Sequence, residues 1–77
     1  MKIGKVRREH KTLSEACMEL ALIITQQVNK PKMDFEDDII DEIGDVKWRL
    51  KLVEKYYDSE KIDKRIKYKA DRELEKK

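Results

Sequence analysis

The sequence predicts an all-α protein: a three-helix antiparallel unit that completes a helical bundle by dimerisation. Three observations carry this expectation. Apolar residues recur at steps of three and four along three stretches, and no stretch alternates in the period-two manner of a strand. The breaks between them, Asn29-Lys30-Pro31 and Asp58-Ser59, are short, as between antiparallel neighbours in a bundle. A chain of 77 residues also leaves much of its apolar surface uncovered when it folds alone, so a partner subunit is expected to help.

Residues 1–11 hold Lys2, Lys5, Arg7, Arg8, Lys11 and Gly4 with no sustained period, and read as a basic N-terminal arm or as a lead-in to the first helix. A single helical domain, 12–77, follows. Its first four residues, Thr12-Leu13-Ser14-Glu15, match a capping box, in which the Thr12 hydroxyl and the Glu15 carboxylate each satisfy an otherwise orphan backbone N–H. Leu13, Cys17, Leu20, Ile24 and Val28 then form one apolar stripe, which Ala16, Met18, Ala21, Leu22 and Ile23 widen until the helix is apolar almost all round. Such a helix is expected to be buried on more than one side. Pro31 stops it, because proline disfavours helix in the residue before it and lacks the next N–H donor.

Asp34 reads as the N-cap of the second helix, and Glu36 and Asp37 suit the positive end of its dipole. Ile39, Ile43, Val46, Leu50, Val53 and Tyr57 carry that helix to about Tyr57. Ser59 reads as the cap of a third helix, in which Ile62, Ile66, Ala70 and Leu74 recur every fourth residue on an otherwise charged rod. Gly44 marks a close helix approach in this reading, since glycine inside a helix costs about 1 kcal/mol relative to alanine.

The 19 basic and 17 acidic side chains nearly cancel, at a formal net charge of +2, yet they are unevenly placed. The ends are basic, while Asp34 to Asp45 holds seven carboxylates. Cys17 is the only cysteine, which excludes an internal disulfide, and its apolar setting predicts a small buried hydrophobe in a reducing, cytoplasmic compartment. The apolar run Leu20 to Ile24 is far too short to span a membrane, and the basic start lacks the core of a signal peptide, so neither membrane insertion nor targeting is expected.

The second helix carries the constellation of most chemical interest. Counting about 100° per residue from Asp38 puts Glu42 near 40°, Asp45 near 340° and Asp41 near 300°, beside an apolar stripe at about 60° to 140°. Carboxylates from successive turns are what Mg²⁺ or Mn²⁺ takes, because hard cations prefer oxygen ligands and complete their shell with water and phosphate. The plainer alternative is an acidic helix face turned to solvent and paired with Arg49 or with lysines of another helix.

Over roughly residues 10 to 75 the chain resembles the MazG-type all-α nucleoside triphosphate pyrophosphohydrolases, whose signature is Glu-x-x-Glu on one helix and Glu-x-x-Asp on the next. Asp-Glu-Ile-Gly-Asp-Val at 41–46 is similar to the second half, with Glu42 and Asp45 at its acidic positions. Ser-Glu-Ala-Cys-Met-Glu-Leu at 14–20 resembles the first, with Glu15 and Glu19 in place but Ala16 where the first ligand carboxylate belongs. Lys69-x-x-Arg72 looks like the basic pair of the family's following helix. The resemblance implies a homodimer or higher homo-oligomer, a nucleotide substrate, Mg²⁺ (or Mn²⁺) held by Glu19, Glu42 and Asp45 with Asp38 as a supplement, and catalysis by the same three. It implies that Lys69 and Arg72 contact phosphate. The departure at Ala16 keeps a second expectation open, a degenerate site that binds a nucleotide without cleaving it.

Other residues carry weaker signals. His10 is the only histidine and reads as exposed and silent. Tyr56 falls on the acidic side of helix two near Arg49, so both are candidate substrate contacts, although aromatics at helical spacing more often serve as core or dimer contacts. The basic third helix is broken by Glu60, Asp63, Asp71, Glu73 and Glu75, which favours salt-bridged exposure over nucleic-acid binding.

Overall fold

The structure, a computed structural model, describes residues 3–75; residues 1, 2, 76 and 77, and with them Lys2, lie outside that range. It consists of α1 (Ile3–Asn29), α2 (Glu36–Glu54) and α3 (Ser59–Glu75), with no strand among the described residues. α1 and α2 form an antiparallel hairpin that accounts for the extended helix packing. α3 leaves the hairpin after Tyr57 and has no buried residue.

The first helix starts earlier than its capping box suggests. Residues 3–11, which the sequence allows as a basic arm or as a lead-in to the helix, are its opening turns. Thr12 lies mid-helix, where its hydroxyl donates to the Glu9 carbonyl at 3.1 Å instead of capping. Tertiary contacts explain the extension: the Glu9 carboxylate accepts from the Tyr56 hydroxyl and lies 3.4 Å from the Lys55 ammonium, while His10 Nε2 meets the Tyr57 hydroxyl at 2.6 Å. These contacts tie the start of α1 to the end of α2.

The connections are held by side chains. Gln27 clasps the first, its Nε2 donating to the Met33 carbonyl at 2.9 Å and its Oε1 accepting from the Phe35 N–H at 3.2 Å. The Asp34 carboxylate accepts from the Glu36 N–H at 2.9 Å, so Asp34 serves the start of α2 from one residue further out than a cap proper. At α3 the cap is Asp58 and not Ser59: its carboxylate accepts from the N–H groups of Glu60 and Lys61 at 2.9 and 3.4 Å. Ser59 is already the first helical residue.

The seam follows heptads. On α1 it runs through residues 6, 9, 13, 16, 20, 23 and 27, on α2 through 39, 42, 46, 49 and 53 with 35 and 56 continuing it just beyond the helix ends, and each of these is buried or half-buried. Among the described residues only Ala16 and Val53, 3% and 6% exposed, are buried. The stripes expected from sequence are rotated against this seam. Leu13, Leu20, Ile39, Val46 and Val53 face the partner helix, but Cys17, Ile24, Val28, Ile43, Leu50 and Tyr57 are exposed. Cys17 is thus not the buried hydrophobe its neighbours suggested, because it sits on the flank of the seam. Nor does Gly44 mark a close approach, since a Cβ built there meets nothing within 4 Å.

The result is one layer. The chain measures 47 × 35 × 14 Å, and its smallest dimension is about the thickness of one helix with side chains. Its radius of gyration, 15.5 Å, exceeds the roughly 11.5 Å of a compact domain this long.

Candidate metal and nucleotide site

Glu19 on α1 and Glu42 and Asp45 on α2 converge across the seam. Each offers a carboxylate oxygen, and the three oxygens lie within 4.8 Å of one another. The antiparallel register causes this: Glu19 flanks the seam residues Ala16 and Leu20, opposite the α2 turn that holds Glu42 and Asp45.

Glu42 is the inner member. It occupies a seam position, and its Oε2 is shielded from solvent without a hydrogen-bond partner. Burial raises its pKa first, the charge of Glu19 and hydrogen bonding between the two carboxyl groups raise it next, and the charges of Asp45 and Asp41 add to the rise. Asp45 sits at the solvent edge, 3.7 Å from Arg49 Nε on the next turn, an exposed pair that offsets only part of the negative charge. Asp38, Glu19 and Glu42 share a cleft of about 240 Å³ with Leu22, Ile23 and Gln26. The α1 wall thus carries one carboxylate, two apolar side chains and one amide, and the α2 wall two carboxylates.

The donor set fits a hard divalent cation. All donors are carboxylate oxygens, and the orphaned Glu42 oxygen has no hydrogen-bond partner to compete with a cation. Oxygens bound to Mg²⁺ stand about 3 Å apart when adjacent and about 4.2 Å when opposite, so small rotamer shifts close the triad to bonding geometry.

The remaining expected contacts divide. Arg49 does not line the cleft, but it pairs with Asp45 of the acidic triad. Tyr56 does not line the cleft: it donates to Glu9 and stacks on the His10 ring at 5.8 Å. Lys69 and Arg72 are exposed on α3, where Arg72 Nη1 donates to the Tyr68 hydroxyl at 3.1 Å, and neither lines the cleft. His10, read as silent, is half-buried. Its Nδ1 donates to the Val6 carbonyl at 2.7 Å, so in the neutral ring Nε2 accepts from Tyr57. The cleft walls Leu22, Ile23 and Gln26 were missed from sequence, although their spacing from Glu19, at i+3, i+4 and i+7, puts them on its face.

Ala16 is the most enclosed residue, at the centre of the α1 seam. The position that would carry the missing carboxylate is therefore packed against α2.

The chain matches no protein-family profile, no curated protein and no solved structure. Among the described residues, no helix is long and apolar enough to cross a membrane.

Proposed function

We propose that the protein is a MazG-like, Mg²⁺-dependent nucleotide pyrophosphohydrolase that cleaves a nucleoside triphosphate to a monophosphate and pyrophosphate. The observation that carries this reading is the convergence of Glu19, Glu42 and Asp45 across two helices, around a buried Glu42 oxygen with no partner. Coordinated carboxylates are ionised, and bound Mg²⁺ would supply charge neutralisation of the triphosphate and a lowered pKa for the attacking water.

The chain's own residues have separable tasks. Glu19, Glu42 and Asp45 hold the cation, and Asp38 adds a fourth carboxylate on the cleft wall. Arg49 stands where it can turn from Asp45 to a phosphate oxygen. Leu22 and Ile23 offer an apolar surface to a nucleoside, and Gln26 a donor and an acceptor. Lys69 and Arg72 would have to reach the phosphates through a different placement of α3 or from another copy, which accords with the homo-oligomer that the resemblance implies. A reducing cytoplasmic compartment, where Cys17 stays a thiol, suits this chemistry.

A second reading is supported by Ala16. With the first ligand position filled by a packed methyl group, the site in this reading lacks one metal ligand and retains a nucleotide intact. Incubation with a panel of NTPs and dNTPs plus Mg²⁺ separates the two. Pyrophosphate release that is lost in Glu42→Gln supports the hydrolase; intact nucleotide retained without release supports the binder. Neither release nor retention would sink both.

A further inference from the structure

We propose that the groove between the end of α2 and the start of α3 docks an acidic amphipathic helix of another protein, whose apolar ridge enters the groove and whose carboxylates meet its rim. The inference goes beyond the chemistry of the cleft and is read without metal or nucleotide.

The Asp58 turn sets the groove. Asp58 caps α3, so that helix starts just after the last turn of α2, and an open groove of about 850 Å³ lies between the two. Leu50, Val53 and Tyr57 line one side of it, Ile62 and Ile66 the other. Val53 is buried by the seam beneath, whereas Leu50, Tyr57 and Ile66 are 40%, 55% and 61% exposed. An apolar floor set between two helices takes the apolar face of a third.

The rim gives the charge of the partner. Lys61 and Arg65 line the groove on α3, each one residue before an isoleucine of the floor. On α2 the groove continues past Leu50 and Glu54 into a second hollow that Lys47 and Lys51 line. The sequence predicts a salt-bridged α3, yet the ion pairs among the described residues are Arg49–Asp45 and Lys55–Glu9. Lys47, Lys51, Lys61 and Arg65 therefore have no described carboxylate within 4.0 Å. The groove itself holds two carboxylates, and Asp58 is committed to the Glu60 and Lys61 N–H groups, which leaves Glu54 against four cations. That excess complements carboxylates on a docked ligand.

Other occupants meet obstacles that such a helix avoids. A second copy presenting the same groove would set the four cations against themselves across a two-fold axis. A lipid surface suits a basic amphipathic helix, but here the apolar floor is concave. Asp63 and Glu73, about 100° and 20° around α3 from Ile62 and outside the groove, would also face anionic headgroups.

The test uses the full chain and two labelled helical peptides of about 18 residues, about 27 Å long. One has a leucine ridge flanked by glutamates; the other has lysine in place of every glutamate. In fluorescence anisotropy at about 50 mM salt, the glutamate peptide should bind saturably and at least about tenfold more tightly than the lysine peptide, and added salt should weaken it. Ile66→Asp should weaken the glutamate peptide at least about tenfold, and Lys61→Glu together with Arg65→Glu should reverse the preference. These side chains are exposed on a helix with no buried residue, so the hairpin should keep its circular dichroism and melting midpoint. Absence of saturable binding, equal binding of the two peptides, or binding indifferent to Ile66→Asp overturns the proposal. So does a free chain that dimerises and loses the dimer in Ile66→Asp, which gives the groove to a second copy. Co-sedimentation with phosphatidylglycerol vesicles that the glutamate peptide does not compete away gives it to a membrane and overturns the proposal as well. None of these outcomes depends on nucleotide hydrolysis, so the two readings can fail separately.

Discussion

Glu19 of α1 and Glu42 of α2 hold carboxylate oxygens within 4.8 Å of each other across the helix seam. Burial and this neighbouring charge raise the Glu42 pKa from its ordinary 4.5, so the folded chain holds that proton more firmly than the unfolded one. The sign follows. Stability falls as pH rises from about 4.5 through the raised Glu42 value, because the folded state must then ionise a carboxylate it disfavours. A cation bound at the triad reverses the fall. Thermal unfolding with and without Mg²⁺ should therefore show a metal-dependent rise at neutral pH that vanishes in acid. Glu42→Gln should raise the metal-free midpoint and abolish the response to Mg²⁺; an unchanged wild-type midpoint on adding Mg²⁺ at neutral pH counts against the metal site.

Ala16 sets a limit on repairing the signature. Ala16→Glu puts a carboxylate into the most enclosed position of the seam, where it is both too large and unpaired. Overpacking costs about 1–3 kcal/mol, and an uncompensated buried charge about 3–5 kcal/mol, so the metal-free variant should be largely unfolded or strongly destabilised. If the new carboxylate joins the triad on a cation, Mg²⁺ should recover part of that loss, as read by circular dichroism during a Mg²⁺ titration. Full wild-type stability without metal would mean that the seam opens freely at this point.

Gly44 offers the opposite case. It lies within α2, and a methyl group there meets no atom within 4 Å. Gly44→Ala should stabilise the chain by about 0.5–1 kcal/mol through the lower backbone entropy of alanine in the unfolded state. Urea unfolding measures this. A loss of stability instead would show that the glycine is needed for an approach by another chain.

The helices were legible in the sequence because their signals are local. Pro31 fixed the end of α1, and the steps of three and four through Ile39 and Val53 traced α2. The start of α1 was not legible: it depends on Glu9 and His10 meeting Tyr56 and Tyr57, residues 47 positions away. The rotation of the seam was hidden for a related reason. Periodicity gives the centre of an apolar stripe, but not how that stripe is divided between two neighbours, so Cys17 and Leu50 read as core. The convergence of Glu19, Glu42 and Asp45 was easier to read, since the three flank or occupy positions on the seam between the antiparallel helices. Its basic complement did not follow, because the direction in which α3 leaves Tyr57 is set by the Asp58 turn and not by the pattern of Lys69 and Arg72.

Tyr56 separates a structural from a substrate-binding role. Its hydroxyl donates to Glu9, and that bond, ahead of the Lys55 charge, lowers the Glu9 pKa. A lowered carboxylate contributes stability above its unfolded value of 4.5, and that contribution is lost as pH falls through the folded value. Tyr56→Phe removes the donor and keeps the ring, leaving the stacking on His10 in place. The acid-unfolding midpoint should then move to higher pH, and the first turns of α1 should exchange their amide hydrogens faster. Nucleotide affinity at the cleft, which Tyr56 does not line, should stay within about twofold of wild type. A large drop in affinity with an unchanged acid midpoint would instead place Tyr56 on the substrate, and would require α2 and its partner helix to present that end of the hairpin to the cleft of a neighbouring copy.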